Sequence, residues 1–273
     1  MFWTRLFSGI VLLAIAVSVM YFGGIPLLLV SWGCAMIAYR ELTKALGASG
    51  EGHTFNALEI IGLCGITAYY AAVYFSEDKV MLLMCIVAFF LAQMFCYVVT
   101  FPKFQAMQVA GAVFSFLYAP VLLSFVYLTR ACPQGQQLVW LILISSWGCD
   151  TCAYVVGVLI GKKKIFPKLS PKKSLEGCFG GVIGAALIGG IYGYLVVEQE
   201  LPGQHAALVI AFICAVGAVM SMVGDLAASA IKRDHQIKDY GNLIPGHGGI
   251  MDRFDSMTVT APMVYFLALL MLL

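Results

Sequence analysis

Long runs of apolar residues constrain this chain more than any other feature of its sequence. Each run has about the 20 residues that an α-helix needs to cross a bilayer, and a helix satisfies its own backbone polar groups inside lipid. We therefore predict an all-α, polytopic integral membrane protein with about nine transmembrane helices. They are expected over residues 6–22, 24–39, 55–75, 80–99, 106–128, 137–160, 179–197, 206–231 and 255–273.

The composition fits the same class of protein. Hydrophobic residues make up 62% of the chain and charged residues 11%, whereas a soluble domain has about 45–50% apolar and about 25% charged residues. A net charge of +2 without a long basic or acidic tail indicates no nucleic-acid partner. Most of the nine cysteines lie inside apolar runs, where cysteine behaves as a small hydrophobic residue. We therefore predict reduced thiols and no disulfide framework.

Lysine and arginine are distributed unevenly between the two sides that nine alternating spans create. With the N-terminus inside, fourteen of the sixteen lie on the inner side, and Lys79 and Arg130 lie outside. Cytoplasmic loops carry such an excess of positive charge. The sequence therefore predicts an N-in/C-out, multi-pass protein of the cell membrane. Its two long polar loops, 161–178 and 232–254, are both expected on the cytoplasmic face.

Unusual polar chemistry is concentrated in the second half of the chain. Residues 1–140 are mostly apolar, with weakly polar connections, whereas almost all of the glycine-rich, acidic and basic clusters follow position 145. We therefore expect residues 1–140 to form a scaffold that provides dimer and lipid contacts. Residues 141–273 are expected to form the catalytic region.

A proline and three glycines interrupt the helical pattern before the last span. Pro245, Gly246, Gly248 and Gly249 disfavour a helix and predict a tight loop. A helix is expected to begin near Ile250. Free backbone N–H groups and the helix dipole attract phosphate at such a point, so this loop is expected to bind substrate rather than serve only as a connection.

Three aspartates near this loop have the chemistry of a cation site. Asp252 and Asp255 are three residues apart and share a face of the predicted helix. Asp225 lies seven residues before Lys232, about 10 Å into a predicted span, where an ionisable group indicates function. Mg²⁺ prefers oxygen ligands and bridges carboxylates to substrate phosphates. We predict a Mg²⁺ site with Asp225, Asp252 and Asp255 as ligands, and leave open a second cation.

A strongly cationic loop lies between two of the predicted spans. Three consecutive lysines at 162–164 and Lys168 precede the segment Ser170-Pro171-Lys172-Lys173-Ser174-Leu175-Glu176-Gly177. This charge suits a triphosphate or an anionic lipid head group. Asp150 lies about ten residues inside the span that leads into the loop, and is a further candidate for the substrate site.

Several of these features also have a structural interpretation. Membrane topology alone could account for lysines in loop 161–178, and Asp150 could serve helix packing. Cys149 and Cys152 are read as ordinary small residues, because no second pair accompanies them for a metal site. Glu59 is expected to have a structural or interfacial role. His247 stays open between shaping the glycine loop and taking part in chemistry.

The segment 229–255 resembles a known family signature. The matching residues are Ser229-x-Ile231-Lys232-Arg233-x4-Lys238-Asp239-x-Gly241-x2-Ile244-Pro245-x-His247-Gly248-Gly249-Ile250-x-Asp252-Arg253-Phe254-Asp255. This run is similar to the signature of phosphatidate cytidylyltransferases, also called CDP-diacylglycerol synthases. The segment 170–177 and Gly224-Asp225 are also similar to that family, although Leu175 stands where an aromatic residue is expected. The resemblance covers roughly residues 145–273.

The resemblance implies a reaction and assigns roles to the matching residues. CTP and phosphatidic acid would give CDP-diacylglycerol and pyrophosphate, with Mg²⁺, in a homodimer within membrane lipid. The implied catalytic residues are Asp225, Asp252, Lys232, Arg233, Lys238, Asp239, His247 and Arg253. The expected substrate-binding residues are Ser170, Lys172, Lys173, Ser174, Glu176, Asp150, Gly246, Gly248 and Gly249.

Three other classes of membrane protein fit the sequence less well. A transporter would place charges near the bilayer midplane, often in repeated halves, whereas here they cluster toward one face and no repeat is evident. A polyprenol kinase or a CDP-alcohol phosphotransferase is a second alternative, but the paired acidic pattern of the latter is missing. A structural membrane subunit would not need so specific a polar signature.

Overall fold

The protein is all-helical over the residues that its computed structural model describes. These are residues 2–50, 54–76, 78–167, 169–199 and 205–273. Side chains are described for all of these residues except 2–6 and 79. Within them lie nine helices and no strand. The helices are α1 (Phe2–Phe22), α2 (Gly24–Ala45), α3 (Ala57–Phe75), α4 (Lys79–Val99), α5 (Ala106–Ala131), α6 (Gly135–Ile160), α7 (Leu175–Val197), α8 (Ala206–Asp234) and α9 (Met251–Met271).

Most of these helices have the length and composition of membrane spans. Among the described residues, α2 to α9 are long and apolar enough to cross a bilayer, and the described apolar part of α1, Phe7–Phe22, is shorter. Large apolar side chains also cover their surfaces, as at Phe95, which is 71% exposed, and Leu208, which is 73% exposed. The all-α, polytopic membrane fold is confirmed; nine crossings and the N-in/C-out orientation stay predictions.

The polar connections are shorter than the sequence indicated, because polar residues begin and end the helices beside them. The first connection closes where Ser174 caps α7 and its Oγ accepts from Gly177 N at 3.2 Å. It therefore spans 161–174 rather than 161–178. The second spans 235–250 rather than 232–254, so Lys232 and Arg233 end a helix and Asp252 and Asp255 begin one.

The chain divides into two compact units at points other than the expected boundary at residue 140. One unit contains Met1–Ser124 and Asp234–Arg253, and the other contains Phe125–Arg233 and Phe254–Leu273. The segment that carries the glycine loop therefore belongs with the N-terminal helices. Residues 1–124 thus share a unit with part of the family signature.

The first unit has an apolar core and one buried acidic cap. Its core includes Leu58, Phe104 and Val109, all nearly inaccessible. At the start of α3, Glu59 and Asn56 form a capping box in which each side chain accepts from the other's backbone N–H. The Glu59 carboxylate also accepts from Gly50 N at 2.9 Å, so the structure gives Glu59 the expected structural role.

Small residues allow α6 and α7 to approach closely in the second unit. A Cβ added at Gly184 would lie 2.6 Å from the Cβ of Cys152, and one at Gly181 would lie 2.9 Å from Cys149 Sγ. Membrane helices associate through such small residues. Cys149 is fully buried beside Ala185, and all nine cysteines are free thiols. Cys149 and Cys152 therefore pack between these two helices as free thiols, as predicted.

Candidate active site

The loop before α9 is closed by its own backbone. Ile244 N donates to Gly248 O at 2.9 Å, and His247 N donates to Ile244 O at 2.9 Å. Gly246 has a φ of 77° and Gly248 a φ of 84°, which is the left-handed region that favours glycine. The predicted tight glycine loop is therefore present, and two of its glycines are needed for its backbone.

Asp252 fastens this loop to the start of α9. Its Oδ2 accepts from Tyr240 N at 2.8 Å and from Gly249 N at 3.0 Å. A Cβ at Gly248 would lie 2.8 Å from the same oxygen, so a side chain there would displace the carboxylate. Asp252 is 7% exposed. In the first unit it thus organises the loop through charge-assisted hydrogen bonds.

The backbone N–H groups at the start of α9 are not free, in contrast to the expectation from sequence. Ile250 N donates to Glu41 Oε1 at 3.0 Å, and Met251 N donates to Glu41 Oε2 at 2.8 Å. With Gly249 N bound to Asp252, carboxylates already occupy the position that we expected phosphate to take. The expectation failed because the acidic partner comes from α2, far away in the sequence.

His247 is held by α1. Its Nδ1 lies 2.8 Å from Ser8 Oγ, and Ser8 Oγ donates to Pro245 O at 3.1 Å. Because a hydroxyl carries one proton, Ser8 then accepts from the Nδ1–H of the ring. This contact favours the loop-shaping interpretation of His247.

A polar cavity of about 450 Å³ opens beside the loop in the first unit. Lys238 and Arg253 bring positive charge to it, and Asp239 brings a carboxylate. Six of the predicted site residues therefore share one cavity. It is lined by Lys238, Asp239, Asn242, Ile244, Gly246, His247, Gly248 and Arg253.

In the second unit, a lysine of the basic loop is paired with the intramembrane aspartate. Lys173 Nζ lies 2.5 Å from Asp225 Oδ2, and the two side chains are 20% and 30% exposed. The turn that presents Lys173 is closed by its own N–H, which donates to Ser170 O at 3.2 Å. The sequence singled out both residues, but did not foresee that they would neutralise each other.

Two further carboxylates lie near this pair. Helix α8 packs closely against α9 at Gly224, since a Cβ added at this glycine would lie 2.7 Å from Asp255 O. Asp255, Asp225 and Asp150 are near enough to interact electrostatically. The Asp150 carboxylate accepts a hydrogen bond from the Ser256 side chain. The second unit therefore places Asp150 and Asp255 within electrostatic range of Asp225, which is paired with Lys173.

Two of the three predicted metal ligands lie near each other within one unit. Asp225 and Asp255 lie near each other in the second unit, whereas Asp252 belongs to the first. Within the described ranges, no three or more His, Cys, Asp or Glu side chains converge as a metal-binding group. The oxygen chemistry of the acidic cluster still fits Mg²⁺, and Lys173 supplies a positive charge there. The metal assignment stays a prediction.

The rest of the basic loop is folded onto the start of α7. Glu176 accepts from Lys162 N at 3.0 Å and from Lys163 N at 3.3 Å, and Lys164 Nζ donates to Lys172 O at 3.0 Å. Glu176 thus holds the loop backbone, and Ser174 caps the helix. Lys172 is exposed. Lys168 lies outside the described residues.

The basic residues at the end of α8 differ in exposure. Lys232 is partly buried and interacts electrostatically with Asp255. Arg233 is exposed on the last turn. Positive charge at the C-terminal end of a helix is favourable, so both residues also have a stabilising role there.

Sequence reasoning missed three residues of these two clusters. Glu41 follows Arg40 just after a predicted span, and this position indicates the membrane surface. Ser256 and Ser8 are ordinary hydroxyl residues in membrane helices, and nothing in their neighbourhood distinguishes them. For Glu41 as well, no local pattern indicates partners that lie more than 200 residues away.

Comparison with known proteins gives a family match over nearly the full length of the chain. A model described as the cytidylyltransferase family matches residues 3–271. The chain belongs to the cytidylyltransferase family. A family member from Staphylococcus haemolyticus, named phosphatidate cytidylyltransferase, is 30% identical over 274 residues, which cover 98% of this chain and 99% of that protein.

Two further relatives carry the same name. The protein from Staphylococcus epidermidis is 28% identical over 96% of this chain and 97% of its own length. The protein from Bacillus subtilis is 37% identical over 143 residues, which are 52% of this chain and 51% of that protein. The family match therefore includes the first 140 residues, for which the sequence alone gave only length and hydrophobicity.

Proposed function

We propose that this cytidylyltransferase family member is a phosphatidate cytidylyltransferase, which transfers CMP from CTP to phosphatidic acid and so makes CDP-diacylglycerol for phospholipid synthesis. The full-length match to the family and the printed names of its relatives support this activity. The Lys173–Asp225 pair, with Asp150 and Asp255 beside it, is the structural observation that carries the assignment of the site.

The reaction needs positioning and neutralisation of charge more than a protein nucleophile. A phosphate oxygen of phosphatidate bonds to the α-phosphorus of CTP, while the bond to the oxygen that bridges to the β-phosphorus breaks. Pyrophosphate leaves with that oxygen and its electron pair. Lys173 is placed to bind a phosphate oxygen, and Lys238 and Arg253 line a cavity that suits anionic groups.

We infer that Mg²⁺ is required, with Asp225 and Asp255 as the ligands in the second unit and Asp150 beside them. Bound there, Mg²⁺ would supply positive charge to the triphosphate and the leaving pyrophosphate. Without CTP and the cation, Lys173 is the group that neutralises Asp225. When substrate binds, Lys173 would then move toward a phosphate group, and Asp225 would bind the cation instead.

The protein's surroundings in the cell follow from the same proposal. We propose that both polar connections face the cytoplasm, where CTP is found, because these connections and the helix ends beside them carry most of the chain's lysines and arginines. Phosphatidic acid reaches the site from the membrane. A homodimer is proposed from the family resemblance.

The experiment is a transfer assay with purified protein in detergent. CTP labelled at the α-phosphorus should pass its label to phosphatidate, and CTP labelled at the γ-phosphorus should release it as pyrophosphate, in both cases only with Mg²⁺. A lipid kinase would instead place the γ-label on lipid, and a transporter would place neither. Either result would refute the proposed activity.

A further inference from the structure

One buried carboxylate in the first unit has no role in the reaction described so far. Glu41, on α2, is 8% exposed. Its two oxygens accept from two consecutive backbone N–H groups, Ile250 N at 3.0 Å and Met251 N at 2.8 Å. These residues follow Glu41 by more than 200 positions in the sequence. A side chain from the N-terminal part therefore holds the start of the last helix.

The chemistry of this contact is specific for a carboxylate. The first N–H groups of a helix have no partner within the helix, and the helix dipole favours a negative charge at that end. Glu41 provides one acceptor oxygen for each N–H. Glutamine has the same shape but only one acceptor oxygen, and its NH₂ group would face an N–H donor.

Two glycines of the signature segment make room for this carboxylate. A Cβ added at Gly241 or at Gly249 would overlap the Oε1 atom of Glu41. The backbone on both sides of the glycine loop therefore closes around the Glu41 head group. The signature segment therefore encloses the Glu41 side chain, and Glu41 caps the first turn of α9 within that segment.

We propose that Glu41 is a positioning residue for cytidyl transfer. It fixes Ile250 and Met251, and through them the next two residues, Asp252 and Arg253. Asp252 clasps the glycine loop, and Arg253 lines the cavity of the first unit. Glu41 thereby sets the geometry of a site to which it contributes no contact of its own. This inference rests on the proposed function for its kinetic part only.

A second buried glutamate in the same unit provides a matched control. Glu59 is 1% exposed and accepts from Gly50 N at 2.9 Å and Asn56 N at 3.2 Å. It caps a helix start with the same chemistry as Glu41. Its hydrogen-bond partners belong to the connection before α3, and its carboxylate also lies 3.9 Å from Arg40 Nε on α2. None of these partners lies in the signature segment. Loss of a buried carboxylate in general should therefore affect both residues alike, whereas positioning of the site should involve Glu41 alone.

The test compares Glu41→Gln and Glu59→Gln with the wild-type chain, all full length and in detergent. Hydrogen exchange should become faster across 249–253 in E41Q, and at residue 50 and across 54–59 in E59Q. In E41Q we expect kcat to fall at least about tenfold, the effect of a lost charge-assisted hydrogen bond, with KM for CTP within about threefold. In E59Q both kinetic constants should stay within about threefold of the wild type. Glu41→Asp, which keeps the charge on a shorter side chain, should recover part of kcat.

The proposal is overturned if E41Q leaves exchange across 249–253 unchanged, or if its kcat falls no further than that of E59Q. Should E41Q not purify as a folded protein, Glu41→Asp takes its place with the same criteria, and wild-type values there would refute the proposal. If the wild-type chain shows no cytidyl transfer, the proposed function fails, while the exchange measurement still decides whether Glu41 holds the start of α9.

Discussion

Lys173 and its neighbour Lys172 have opposite environments, although the sequence presents them as equivalent. Lys173 Nζ lies 2.5 Å from Asp225 Oδ2 and is 20% exposed. The side chain of Lys172 is exposed, and its backbone carbonyl oxygen accepts a hydrogen bond from Lys164 Nζ within the loop. Lys173 therefore pairs with one aspartate of an acidic cluster, and Lys172 adds charge to a surface loop.

Replacement of Lys173 by Met should therefore be much more harmful than the same change at Lys172. The loss at Lys173 removes a charge-assisted contact worth about 1.5–3 kcal/mol, which is about a 10- to 150-fold fall in kcat/KM for CTP. Lys172→Met should change it by less than about threefold, since exposed charges contribute little. Steady-state assays at fixed phosphatidate measure both. Normal kinetics in both variants would return the loop to a role in membrane topology alone, and equal large losses would contradict the difference between the two lysines.

Replacement of Asp225 by Asn should abolish turnover while the protein still inserts and purifies normally. The amide keeps the shape of the side chain but removes the charge that pairs with Lys173, so kcat should fall by at least about a hundredfold. Any residual activity should need more Mg²⁺ than the wild type, which a Mg²⁺ titration measures.

Asp234→Asn, at the exposed end of the same helix, is the control for Asp225 and should be nearly neutral. Near-normal activity of Asp225→Asn at low Mg²⁺ would remove Asp225 from the metal assignment.

The packing of α6 on α7 makes a prediction about stability. Gly184→Ala places a methyl group 2.6 Å from Cys152 Cβ, and such overpacking costs about 1–3 kcal/mol. Gly33→Ala, in α2, meets nothing within 4 Å. It should be neutral or stabilising by about 0.5–1 kcal/mol, because glycine is a poor helix former. Unfolding in detergent, followed by circular dichroism, compares the two. A stable Gly184→Ala would mean that these helices lie further apart.

The proposed orientation can be tested on intact cells. Cysteines introduced at Lys163 and Asn242, both exposed, should resist a membrane-impermeant maleimide until the cells are opened. A cysteine at Gln136, exposed on the first turn of α6, should react from outside. The distribution of positive charge is the reason for this expectation. Labelling of Lys163→Cys from outside would reverse the topology and move the site to the other face.

The fold followed from the sequence because hydropathy is a local property. Apolar runs located every helix, and their ends were misjudged mainly where polar residues cap or extend a helix. Ser174 caps α7, Asp252 lies in the first turn of α9, and polar residues extend the ends of α2 and α8. The site was only partly predictable. The depth of Asp225 marked it as functional, but its pairing with Lys173 depends on how a loop folds back. Glu41 was missed because its partners lie more than 200 residues away, and no local pattern records such a contact.

Ser256 provides the last prediction, since it bonds to Asp150 from a different helix of the second unit. Its hydroxyl donates to the Asp150 carboxylate, and the side chain is 3% exposed. Thr258, two residues further on and 1% exposed, donates to Phe254 O within its own helix at 2.5 Å. Ser256→Ala should lower kcat about tenfold, because a hydrogen bond to a charged group is worth about 1.5–3 kcal/mol. Thr258→Ser, which keeps the hydroxyl, should leave kcat within about twofold. Asp150→Asn should be at least as harmful as Ser256→Ala, since it removes the charge as well. If Ser256→Ala and Thr258→Ser were equally active, Asp150 would belong to helix packing and not to the substrate site.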